Sequence, residues 1–121
     1  MTTSPVGWPA DLVSAFDPEF SGQVSRWLLE RLPGEFRDTE IRNDPRALSW
    51  VLQERVRSDL ELMRRLYATA RVSSGSTTPS VLLEALSEIG AQLLRTEREV
   101  NSVVGAIAAL DHSRINTSDL D

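Results

Sequence analysis

Between Pro79 and Asp111, the residues Leu82, Leu86, Ile89, Leu93, Thr96, Val100, Val103, Ile107 and Leu110 follow one another at alternating steps of four and three. That rhythm is the heptad seam of a helix lying along another helix, kept over about four heptads with one polar interruption at Thr96. Thr78 before Pro79 fits an N-cap residue with proline at the first helical position. A helix over 79–111 is about 50 Å long. A rod of that length cannot bury its seam against itself, so it needs a partner within the chain or in a second copy.

A second long stripe precedes it. Asp44-Pro45 repeats the cap-proline signal, and Leu48, Leu52, Val56, Leu60, Met63, Tyr67 and Ala70 then recur at helical spacing with no proline or glycine to stop them. The spacing predicts a helix over 45–72, widened by Val51, Leu62 and Leu66 toward more than one neighbour. The turn formers at 73–77 are few enough to join antiparallel helices. Upstream, Asp17-Pro18-Glu19 opens a shorter helix over 18–32, with Phe20, Val24, Trp27 and Leu28 as its stripe and Pro33-Gly34 as its stop. Residues 35–44 read as a connection pinned to the core at Phe36 and Ile41. Residues 1–17 read as an arm in which 9–16 could form a short docked helix. Periodicity is lost over 113–121, the expectation for a disordered tail.

The expected fold is therefore all-α. It is one domain over 1–112, a long antiparallel helical hairpin with a shorter N-terminal helix packed on it, two copies pairing into a dimeric bundle. One short helix cannot cover both stripes of so long a hairpin, and a second copy would complete the burial. The alternative is a monomer whose spare apolar positions are simply exposed. At 121 residues, 40% apolar and 26% charged, the chain suits a single globular domain. Met1–Pro9 has neither the basic region nor the apolar run of a signal peptide, and no apolar stretch is long enough to span a bilayer. The expected location is cytoplasmic.

The net charge of −5 argues against sequence-independent nucleic-acid binding, which relies on neutralising phosphates. All 13 basic residues are arginine, and they are unevenly spread. Residues 45–71 hold six arginines against three acids, whereas 79–112 hold two against five, the pattern of helices that pack side by side.

Little in the chain resembles a catalytic centre. There is no cysteine, and the one histidine, His112, has no Glu-x-x-His partner motif, so neither a metal nor a cofactor is expected. The serines at 73–80 have no base beside them. Arg57, Arg64 and Arg71 recur at steps of seven on one helix face, with Glu61 four residues before Arg65. Such spacing describes a solvated or salt-bridged face; an anion or partner site is the sharper alternative. Thr96 either sets the register of a helix interface as a buried polar residue or bonds to its own backbone. Trp8, Trp27 and Trp50 suit core or interface anchors, Trp8 on its arm being the one best placed to dock on another chain.

The segments Arg26-Trp27-Leu28-Leu29-Glu30, Asp44-Pro45-Arg46-Ala47-Leu48, Tyr67-Ala68-Thr69-Ala70-Arg71-Val72 and 86–94 resemble a group of short actinobacterial all-helical proteins. Those proteins often have His-Pro-Val-Ala-Leu at the second segment. The resemblance covers about residues 18–110 and implies a bacterial source and a helical fold. It carries no activity and no site residue.

The resulting expectation is a non-catalytic protein-interaction or regulatory module that homodimerises. Its interface would draw on Trp8, Trp27, Trp50, Leu86, Leu93, Thr96, Val100, Val103 and Ile107. A small enzyme or sensor gripping an anionic metabolite through arginines is the alternative, and a weak nucleic-acid binder the third.

Overall fold

A computed structural model describes residues 7–73 and 80–119, with side chains described over 7–72 and 80–111. It is all-helical: α1 (Phe20–Arg31), two short 3-10 turns (Gly34–Asp38 and Glu40–Asn43), α2 (Pro45–Ser73) and α3 (Ser80–Asp119), with no strand among the described residues. The expected cap at Thr78 and most of the expected turn at 73–77 lie outside them. No described helix is long and apolar enough to cross a membrane.

Local chemistry sets the starts. Asp44 Oδ1 accepts the Ala47 backbone N–H at 3.2 Å and its carbonyl accepts Leu48 N–H at 3.0 Å, a side-chain cap followed by the first helical bond. Asp17 does not cap α1, which starts two residues later than expected. Its Oδ1 accepts Glu19 N–H at 2.8 Å, so residues 17–19 form a turn and α1 begins at Phe20. At the other end, α3 continues past Asp111 to Asp119, over the stretch read as a disordered tail. That stretch lacks an apolar stripe, but it also contains no proline or glycine to break the backbone ladder.

The long helices α2 and α3 pack together, and the core sits where α1 and the arm cover them. Phe20, Val24, Trp27 and Leu28 of α1 meet Leu48, Leu52, Val56 and Leu60 of α2 and Val100, Val103 and Ile107 of α3. Phe36 and Ile41 pack on this cluster from the two 3-10 turns. Between the long helices, Arg46 Nε lies 3.1 Å from Asp111 Oδ2, and Gln53 Nε2 donates to Asn101 Oδ1 at 2.8 Å.

Residues 7–17 of the arm are docked, and the short helix that 9–16 could form is not there. That segment forms single turns closed by Leu12 N–H on the Pro9 carbonyl and Asp17 N–H on the Ser14 carbonyl. Two helical turns are marginal by themselves; burial of Pro9 and Leu12 holds the segment instead. Gly7 sits at φ 87°, and a Cβ there would come within 3.3 Å of Arg98 Cβ and 3.4 Å of the Arg98 carbonyl oxygen on α3. Only glycine meets both demands.

An unforeseen clip ties the arm to α1. Asp11 Oδ1 accepts the Trp27 indole N–H at 2.9 Å, and Oδ2 accepts from Arg31 Nη2 at 2.6 Å. The Arg31 guanidinium lies 3.9 Å from the Trp27 ring centroid, stacked as a cation on a π face. Partial burial pushes the Asp11 carboxyl up, but hydrogen bonds from Trp27 and Arg31 and the Arg31 charge outweigh it, leaving the pKa below its ordinary 3.8. A lowered folded pKa stabilises above the unfolded value and is lost as pH falls through the folded one. Asp11→Asn is therefore expected to lower the melting temperature at neutral pH by a few degrees, since a half-exposed pair is worth about 1 kcal/mol or less. Thermal melts from neutral pH down to about pH 3 check this: the gap to the parent protein should close at the acid end.

Candidate interaction surface

The core stops halfway along the long helices. Among the described residues, all thirteen buried hydrophobic ones fall within Leu12–Leu60 or Val100–Ile107, and none between 61 and 99. Seven of the nine most exposed large apolar side chains lie instead between Leu62 and Leu94. Length explains the break. At 12 residues, α1 is about 18 Å long against about 43 Å for α2, so it and the arm run out partway.

The heptad seam divides accordingly. Val100, Val103 and Ile107 are buried, and Leu86, Leu93, Thr96 and Leu110 are half-buried, but Leu82 is 45% exposed and Ile89 43%. One spacing thus yields two environments, because only the C-terminal part of α3 has a third element to cover it. Thr96 donates to the Gln92 carbonyl at 3.1 Å. Within one chain it makes the local backbone bond, the second of its two readings.

On one side of the pair, Leu60, Met63 and Tyr67 of α2 and Leu86, Gly90 and Leu94 of α3 line an apolar groove of about 430 Å³. Ser87 and Ala91 complete its walls. A second groove, about 280 Å³, lies between Trp50, Gln53, Val104 and Ala108. Gln53, Leu60 and Tyr67 are spaced by seven, as are Ser87, Leu94 and Ala108 by multiples of seven, so both grooves lie on one stripe of the α2–α3 pair. Among the described residues, those of α2 and α3 alone line them.

The three tryptophans separate. Trp27 is buried. Trp8 packs within the chain, its ring centroid 5.9 Å from that of Phe20 and its indole N–H donating to the Leu12 carbonyl at 3.2 Å. Trp50 is 62% exposed at the edge of the second groove.

Arg57, Arg64 and Arg71 are exposed along α2. Arg57 pairs with Glu54 at 3.2 Å, Arg64 borders the larger groove, and the Arg71 guanidinium lies 6.0 Å from the Tyr67 ring centroid. Seven residues of helix separate each from the next by about 10 Å, too far for two of them to grip one small dianion. A different arginine set does converge. Arg26 of α1, Arg37 of the first 3-10 turn and Arg42 of the second line a cleft of about 540 Å³, together with Glu30. No sequence spacing joins them, because they sit on three separate elements. Among the described residues, no three His, Asp or Glu side chains group as metal ligands.

No family model matches this chain, and neither a curated protein nor a solved structure matches it.

Proposed function

We propose that this protein is a non-catalytic helical module of the bacterial cytoplasm that acts through protein–protein contact, and that its first partner is a second copy of itself. In this reading α2 and α3 form a long antiparallel hairpin with α1 and the arm packed across one half. The pairing of Arg46 with Asp111, of Gln53 with Asn101, and of Tyr67 with Leu86 across the groove supports that direction. The observation that carries the function is the bare half of the long helices. There Leu94, 45% exposed, lines with Met63, Tyr67 and Leu86 an apolar groove bordered, among the described residues, by α2 and α3 alone, whereas Leu62, Leu66, Leu82 and Ile89 continue the stripes that α1 covers further along. Contiguous exposed apolar surface of this kind marks interaction sites.

Melting at increasing protein concentration tests it. A dimer that is the folded form gains about 1.4 kcal/mol per tenfold rise in concentration, which raises the melting temperature by several degrees between about 1 and 100 µM. A midpoint independent of concentration contradicts the reading. The Arg26, Arg37 and Arg42 cleft favours a second reading, an anion-binding sensor, and stabilisation by pyrophosphate at fixed protein concentration would support it.

A further inference from the structure

Among the described residues, no element covers the groove side of the α2–α3 pair from Trp50 to Arg71, a face about 33 Å long and about 20 Å wide. That area approaches the roughly 800 Å² each partner contributes to a standard stable interface. Its charges are also arranged in levels. Gln53 meets Asn101 across the pair. Four positions further along α2 and four back along α3, Arg57 stands level with Glu97; fourteen further, Arg71 stands within one residue of Glu84. Among the described residues no ion pair joins these levels within the chain: Arg57 pairs only with Glu54, and Arg71, Glu84 and Glu97 pair with no opposite charge.

We propose, resting on the homodimer reading above, that two copies pack groove side to groove side about a two-fold axis running along the helices. Each α2 then lies against α3 of the second copy. Such an axis keeps every residue at its own level, so Arg57 faces Glu97 of the second copy and Arg71 faces its Glu84, each twice by symmetry. A two-fold axis across the helices would instead lay α2 on α2 and set the row Arg57, Arg64 and Arg71 against a second basic row, which is repulsive. Both α1 helices point outward and do not obstruct the contact. Gly90 adds support. A Cβ built there meets nothing within 4 Å, so no contact inside the chain requires a glycine that costs its helix about 1 kcal/mol. A second helix surface could approach closely over that wall of the groove.

Charge reversal tests the geometry. The Arg57→Glu/Arg71→Glu chain and the Glu84→Arg/Glu97→Arg chain should each dimerise at least about tenfold more weakly than the parent protein, because like charges then face one another. Mixed together they should recover the dimer mass in light scattering, because opposite charges face again. Circular dichroism reports whether each chain is folded, and if a double variant is not, the single pair Arg71→Glu and Glu84→Arg serves the same comparison. Reversed chains that dimerise as well as the parent, or that fail to recover on mixing, overturn this geometry and leave the homodimer standing. A parent protein that is monomeric throughout overturns the homodimer reading and this geometry with it.

Discussion

Replacing Val100 with aspartate is expected to unfold the protein. Val100 is fully buried, and it sits among apolar side chains of α1, α2 and α3. Among the described residues the one buried polar residue is Ser49, whose hydroxyl already donates to the Arg46 carbonyl at 3.1 Å. An ionised carboxylate at position 100 therefore finds no cation and no free donor. Burying such a group costs several kcal/mol, against a total stability of about 5–15 kcal/mol for a domain of this kind. Far-UV circular dichroism should show loss of most helix at neutral pH. Retention of the parent melting temperature would remove Val100 from the core.

Leu94→Asp is expected to do the opposite, leaving the chain folded and abolishing its self-association. Leu94 is 45% exposed and lines the larger groove, so in one chain the new carboxylate stays hydrated and costs within about 0.5 kcal/mol. In the proposed dimer the same carboxylate is enclosed twice, once from each copy, beside Leu60 and Leu86. Several kcal/mol lost at an interface corresponds to a dissociation constant raised by two or more orders of magnitude. Helix content should match the parent protein while the mass in solution drops to one chain. The two aspartate variants lie six positions apart on one helix and separate the buried half from the open one. A Leu94→Asp chain that unfolds like Val100→Asp would place position 94 inside the chain's own core.

That contrast also marks what could be read from the amino-acid order. Cap chemistry is local, and the start of α2 at Pro45 follows directly from Asp44 and the fixed φ of proline. The stripes are local too, so Leu48 to Leu60 and Val100 to Ile107 were legible as buried positions. How far a covering element reaches is not local. Ile89 and Val103 share a heptad position, yet one is half-exposed and the other buried, because α1 and the arm end between them. The Asp11 clip left no signal either, since its carboxylate meets Trp27 and Arg31 across 16 and 20 residues of chain. Trp8 looked free because nothing in its neighbours announces that Gly7 turns the arm onto α3. The Arg26, Arg37 and Arg42 cleft needed three elements folded together before it existed.

The most direct test is the solution mass by light scattering over a concentration series. The predicted result is a rise from 13.5 kDa toward twice that value as concentration increases into the micromolar range. A mass that stays at one chain across the series would contradict self-association through the bare half of α2 and α3.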